Sequence, residues 1–215
     1  MDRNFGAILT VAALVILSAC TGVIGSGKAA TDSREVTEFT RISVSNGLEI
    51  DVQVGQAPSV VVSGDDNILP VIVTTVDGDE LKVATEPNTN LVKQQPLLVT
   101  ITTPTLVALS LDGGSKAKVA GEVAAALSVL ASGGSEATVV GNATALTAEA
   151  SGGSKLHLDE LLAQDAHLIA TGSSQIDARV YATAQVDASG GAQVSIMGGA
   201  KVDQNVTGGA KVIVR

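Results

Sequence analysis

A glycine followed by a small residue and then a hydroxyl returns about every twenty residues through the second half of the chain. DGGS stands at 112–115, SGGS at 132–135 and again at 151–154, and TGSS at 171–174. With Gly113, Gly133, Gly152, Gly172, Gly190 and Gly208 as corresponding positions, the spacings are 20, 19, 20, 18 and 18 residues. Gly121, Gly141 and Gly198 each fall eight residues after one of these corners. A unit that short cannot bury its own apolar face, so a fixed period of this length implies turns stacked on one another.

Side-chain periodicity says what each turn is made of. Positions six, four and two before each first glycine, and four and six after it, are apolar in 29 of 30 cases, Gln204 being the exception; the chain average is 45%. Positions three and five after the glycine are polar in 11 of 12 cases, from Lys116 and Lys118 to Lys211, with Ile213 the exception. Strict alternation marks strands with one buried face. Stretches such as EVAAALSVLA read as helix by propensity, but the repeat overrides that reading everywhere except residues 159–166, DELLAQDA, which retain the capacity for a helical turn. Parallel strands joined by crossovers are overwhelmingly right-handed. The fold expected is therefore all-β, a right-handed parallel β-helix over residues 105–215. Glycine at the corners supplies positive φ and leaves room for close stacking. Ser115, Ser135, Ser154 and Ser174 form a hydroxyl column suited to bonding corner backbone, with Ala192 and Ala210 in the same place later.

Residues 36–104 lack the period. Ile42 and Val44, then Leu48, Ile50, Val52 and Val54, alternate on either side of Asn46-Gly47, a hairpin signal. A GDDN bend follows at 64–67, and Asp77-Gly78 marks a second hairpin between residues 71–76 and 81–83. This region is expected to be antiparallel or mixed β and to cap the first turn of the solenoid.

The N-terminus carries an address. Residues 5–17 form an apolar run too short to span a bilayer and of the length of a secretory signal peptide. Leu17-Ser18-Ala19-Cys20 resembles the bacterial lipoprotein signal, which implies a diacylglyceryl thioether and further acylation at Cys20 after removal of residues 1–19. Cleavage by the ordinary signal peptidase is the plainer alternative. Cys20 is the only cysteine, so an internal disulfide is excluded. By the same resemblance, Thr21 after the cysteine favours the outer membrane. Residues 20–35, small and polar, read as a flexible tether with a reach of roughly 50 Å when extended.

Composition narrows the chemistry. Acidic residues outnumber basic ones by 22 to 13 with no basic run, which disfavours nucleic acid as a partner. Calcium binding of the repeat-in-toxin kind needs G-G-x-G-x-D, and the fourth position here is never glycine. Asp159, Glu160, Asp165, Asp177 and Asp187 are the carboxylates available for cleaving a polysaccharide, the main enzymatic alternative, against a plain reading as a solvated acidic face. After the signal only Phe39 and Tyr181 are aromatic, so sugar-stacking platforms are scarce. His157 and His167 lack zinc-ligand spacing. Lys116, Glu136 and Lys155 would place unlike charges on successive rungs.

The order Phe39-x-x-Ile42-x-Val44, Gly64-Asp65-x-Asn67, Leu81-x-Val83 and Leu109-x-Leu111-x-Gly113, followed by Gly/Ser corners, resembles the family described as putative auto-transporter adhesin, head GIN domain. The resemblance spans residues 36–215. It implies an envelope β-helix protein without catalytic residues or cofactor, acting as a structural, adhesion or interaction module. Val202, Val206 and residues 211–215 would form the last rung, whose edge is the expected contact for a partner protein or a second copy.

Overall fold

Alternation drives the architecture: each strand turns one row of aliphatic side chains inward, and the rows of successive turns stack. The computed structural model describes residues 21–215, so the expected signal peptide and Cys20 lie outside the described residues. The strands are β1 (Thr21–Ile24), β2 (Ala29–Arg34), β3 (Arg41–Val44), β4 (Glu49–Val54), β5 (Ser59–Asp65) and β6 (Ile72–Asp77). They continue with β7 (Glu80–Thr85), β8 (Thr89–Val92), β9 (Leu98–Thr103), β10 (Ala108–Leu111), β11 (Lys116–Ala120) and β12 (Ala126–Ala131). The chain ends with β13 (Glu136–Ala150), β14 (Lys155–Ala170), β15 (Gln175–Ala188), β16 (Gln193–Met197), β17 (Lys201–Val206) and β18 (Lys211–Val214).

Two parallel ladders build the solenoid. One runs β7-β3-β10-β12 and then through the second halves of β13, β14 and β15 to β17. The other runs β9-β4-β11 and through the first halves of β13, β14 and β15 to β16 and β18. In the second ladder Lys116, Glu136, Lys155, Gln175, Gln193 and Lys211 lie side by side, offset by the same 20, 19, 20, 18 and 18 residues that separate the corner glycines. The glycine corners therefore set the register. A Cβ on Gly190, whose φ is 73°, would lie 2.8 Å from the Gly172 carbonyl oxygen one turn below, which is too close for any larger residue.

The corner serines are buried, and Ser115, Ser135 and Ser154 donate to the carbonyls of Asp112, Ser132 and Ser151 at 2.6, 2.7 and 2.8 Å. Ser174 instead donates to Ala150 at 3.0 Å, on the neighbouring turn. Of the 30 positions expected to face inward, 24 are buried; the six others are Val107 and all five of the last turn. The core is aliphatic throughout, with Phe39 its one aromatic member among the described residues.

The structure differs from expectation in four places. Asn46-Gly47 joins no hairpin: β3 pairs with β10 and β7, and β4 with β11 and β9, all in parallel. The two left-handed residues, at φ 68° and 71°, make a solenoid corner stacked against Gly113. A tight corner and a hairpin need the same backbone, and only the strands' partners distinguish them.

β3 and β4 are thus already a rung, inside the region expected to be only a cap, and the cap is what the chain inserts after them. β7 and β9 lie beneath this rung, parallel to it, and β6 and β5 pair antiparallel to them. The Asp77-Gly78 hairpin does form, between β6 and β7. No helical turn occurs at 159–166, where β14 runs straight through with a bulge: Leu158 and Leu162 pair with the adjacent residues Ala178 and Arg179. Sheet partners on both sides outweigh the helical preference of Leu and Ala.

Residues 21–34, finally, are not a tether. β1 pairs in parallel with β8, and β2 pairs antiparallel with β5 at the edge of the cap.

Candidate interaction surface

The outward side chains of the second ladder carry a short charge relay. Lys116 Nζ lies 3.2 Å from Glu136 Oε2, and His157 Nε2 lies 3.4 Å from Glu136 Oε1 and reaches Asp177 with Nδ1 at 3.7 Å. Lys155 stands beside Glu136 in the register without approaching it as a close pair. The hydrogen bond from Lys116 holds the Glu136 carboxyl below its ordinary pKa against partial burial, with His157 and Lys155 adding positive potential. These groups are open to water, where such pairs contribute less than about 1 kcal/mol each. They run along one outer face with unlike charges on successive rungs, in the register that the corners already set.

The sequence's candidate carboxylates are not gathered into one site. Asp177 sits with His157 on the second ladder, while Asp165 and Asp187 face out of the first. Asp165 accepts from the Thr183 hydroxyl. Asp187 accepts from Asn205 at 3.2 Å and faces His167 Nε2 at 3.3 Å. Asp159 and Glu160 lie on the β14 bulge, where Arg179 Nε donates to the Asp159 carbonyl at 2.9 Å.

An open groove of about 450 Å3 crosses the first ladder between Asp165, His167, Lys201 and Asp203. Tyr181 is half-exposed in a separate depression with Leu162 and Asn142. The two histidines lie on different ladders, and the described residues contain no cluster of three or more His, Cys, Asp or Glu that could hold a metal.

The last rung is where the pattern stays unsatisfied. The Lys211 and Arg215 amides donate to Ala192 and Ile196 at 2.9 Å, so alternate residues of β18 turn their backbone groups to β16. Val212 and Val214 turn theirs outward. In β17 the Thr207 amide reaches Ala188 at 2.9 Å, leaving the backbone groups of Val202, Gln204 and Val206 outward in the same way. Neither strand has a second partner among the described residues. Ile213 is 42% and Val214 51% exposed, on opposite faces of one strand. An unpaired edge with apolar residues on both faces is a template for another strand.

At the other end, the GDDN bend is the hub of a polar clasp and not a turn alone. Asp65 is buried and accepts from the backbone amides of Gly27 at 2.7 Å, Gln94 at 2.9 Å and Gln95 at 3.0 Å. Burial by itself pushes the Asp65 carboxyl up, and these three donors outweigh it, so its pKa lies below the ordinary value. Asn67 donates to the Ile24 carbonyl and accepts from the Ser26 amide, both at 2.8 Å. Gln94 and Gln95 donate to the carbonyls of Gly25 at 2.7 Å and Gly27 at 2.9 Å. Gly25 is required there, because a Cβ would collide with the Asp65 carboxylate. The clue in the sequence was the pairing of GSG at 25–27 with the acidic bend, two stretches too polar to signal burial.

The family model described as putative auto-transporter adhesin, head GIN domain, matches residues 38–214. Among solved structures, a putative adhesin from Bacteroides fragilis superposes with a TM-score of 0.70 at 16% identity, covering 89% of this chain and 97% of that one. A putative lipid binding protein from Parabacteroides distasonis gives 0.55 at 15% identity, covering 91% and 100%. A putative adhesin from Parabacteroides merdae gives 0.55 at 15% identity, covering 90% and 99%. No curated protein matches the chain. With most of its length matched by the family model and the corner-and-rung order in place, the chain belongs to the putative auto-transporter adhesin, head GIN domain family.

Proposed function

We propose that this protein is a lipid-anchored β-solenoid of the bacterial cell envelope that works by contact rather than by catalysis. Acyl chains on Cys20 hold it, in the outer membrane, and its last rung receives a strand from a second copy or from another envelope protein. The observation that carries the reading is the edge of β17 and β18, with outward backbone groups and with Ile213 and Val214 exposed on its two faces. Strand addition uses such edges, main-chain hydrogen bonds giving affinity and alternate side chains giving selectivity. The adhesin descriptions of the Bacteroides and Parabacteroides structures agree with a contact role.

Ile213→Lys tests it, because a charge on the outer face leaves the upstream rungs untouched and blunts the edge. Self-association in sedimentation, or capture of an envelope partner, should fall while the unfolding transition stays in place. A strict monomer whose residues 211–215 exchange their amides rapidly, unslowed by envelope extract, would refute the reading.

A further inference from the structure

We infer that the outer face of the β1–β8 sheet rests on the lipid surface, so the solenoid is held by its cap end with its last rung projecting away from the membrane. The inference rests on the lipidation of Cys20 proposed above and goes beyond it by assigning a second membrane contact and an orientation.

The first described residue, Thr21, follows Cys20 directly and already pairs in β1 with Thr89 of β8. No slack separates the anchor from the fold. Four residues of strand span about 13 Å, so Ile24 stays within that distance of the acylated position. The polar half of one leaflet is about 5–8 Å deep, which brings Ile24 to the headgroup layer or its border.

The sheet has two unlike faces. Val23 and Leu91 pack inward against the core. Ile24 and Val92, paired directly across the two strands, point outward and are 65% and 53% exposed. Lys93, the next residue, lines depressions with Glu49, Asp51 and Leu91 on the other side, so the outward contact is apolar. The chain as a whole carries a formal charge of −9, so broad electrostatic attraction to an anionic bilayer is absent and the contact is local.

The clasp makes the contact rigid. The Gly25 amide donates to the Val92 carbonyl at 2.8 Å, and Asp65, Asn67, Gln94 and Gln95 bind residues 24–27 from the body of the cap. An anchored flexible tail would let the domain tumble, whereas an anchored strand fixes which side faces the bilayer. From β9 in the cap to β18 there are seven inter-strand steps. At about 4.8 Å each, these put the last rung about 34 Å from the cap.

The test uses the full chain, processed in cells and reconstituted into phosphatidylethanolamine–phosphatidylglycerol vesicles containing headgroup nitroxide lipid. Acylation blocks Cys20, so V92C and I213C each offer one thiol to a fluorophore. Quenching several-fold stronger at position 92 than at position 213 is expected, with intact mass confirming acyl chains on Cys20. Equal quenching at both positions, or none at 92, in acylated protein overturns the orientation and leaves the anchor standing. Unmodified Cys20 overturns both. The unmutated protein gives an independent readout: amides of β1 and β8 should exchange more slowly in vesicles than in detergent, and unchanged exchange there counts against the contact.

Discussion

Lys155 and Leu156 are neighbours in β14 with opposite surroundings. Leu156 is fully buried between Ala137 and Ile176, while Lys155 is exposed between Glu136 and Gln175. A carboxylate in place of Leu156 would lie among aliphatic groups that offer it no hydrogen bond. Leu156→Asp should therefore cost on the order of several kcal/mol. Lys155→Asp exchanges a solvated cation beside Glu136 for a solvated carboxylate and should cost less than about 1 kcal/mol. Denaturation midpoints of the two variants measure the contrast, and similar losses would contradict the assignment of faces. At this scale the sequence was fully informative, since alternation depends on the chain's own period of two.

Among the elements, β1 is unusual in being held mainly through polar bonds. Asp65 is the centre of that attachment, and its pKa in the folded protein lies below its ordinary value near 4. A carboxyl so depressed contributes its stabilisation in full above the unfolded pKa. It loses the contribution as pH falls through the lower folded value. Acidification through that lowered folded value should thus free the amides of Gly27, Gln94 and Gln95, while the buried rungs of β13–β15, which carry no such group inside, stay protected. Asp65→Asn should produce the same local exchange at neutral pH, read by amide hydrogen exchange. Protection unchanged by either treatment would mean that the β8 pairing and the Asn67 and Gln94 bonds hold this segment without Asp65. Beyond the polar GSG and GDDN stretches themselves, none of this showed in the sequence, because a segment satisfied by distant amides and carboxylates carries no hydrophobic period.

For the molecule as a whole, the described fold begins at Thr21, so under the lipidation proposed for Cys20 the loss of the acyl chains should move the entire solenoid. Cys20→Ser should send the protein to the soluble fraction or leave an uncleaved precursor, as fractionation and intact mass would show. An unmodified, ordinarily cleaved native N-terminus would contradict lipidation. What the sequence determined alone is the solenoid body: the glycine period fixed turn length and register, and the alternation fixed which side chains form the core. Both are local properties repeated along the chain, so they can be counted without knowing who neighbours whom. Tertiary structure decided the rest. Asn46-Gly47 became a corner rather than a hairpin because β3 and β4 found partners above and below instead of each other. Residues 21–34 became strands because β8 and β5 offered them partners, with the buried Asp65 holding the Gly27 amide between them. Pairing partners and long-range hydrogen bonds are relations between distant segments, and no period within one segment encodes them.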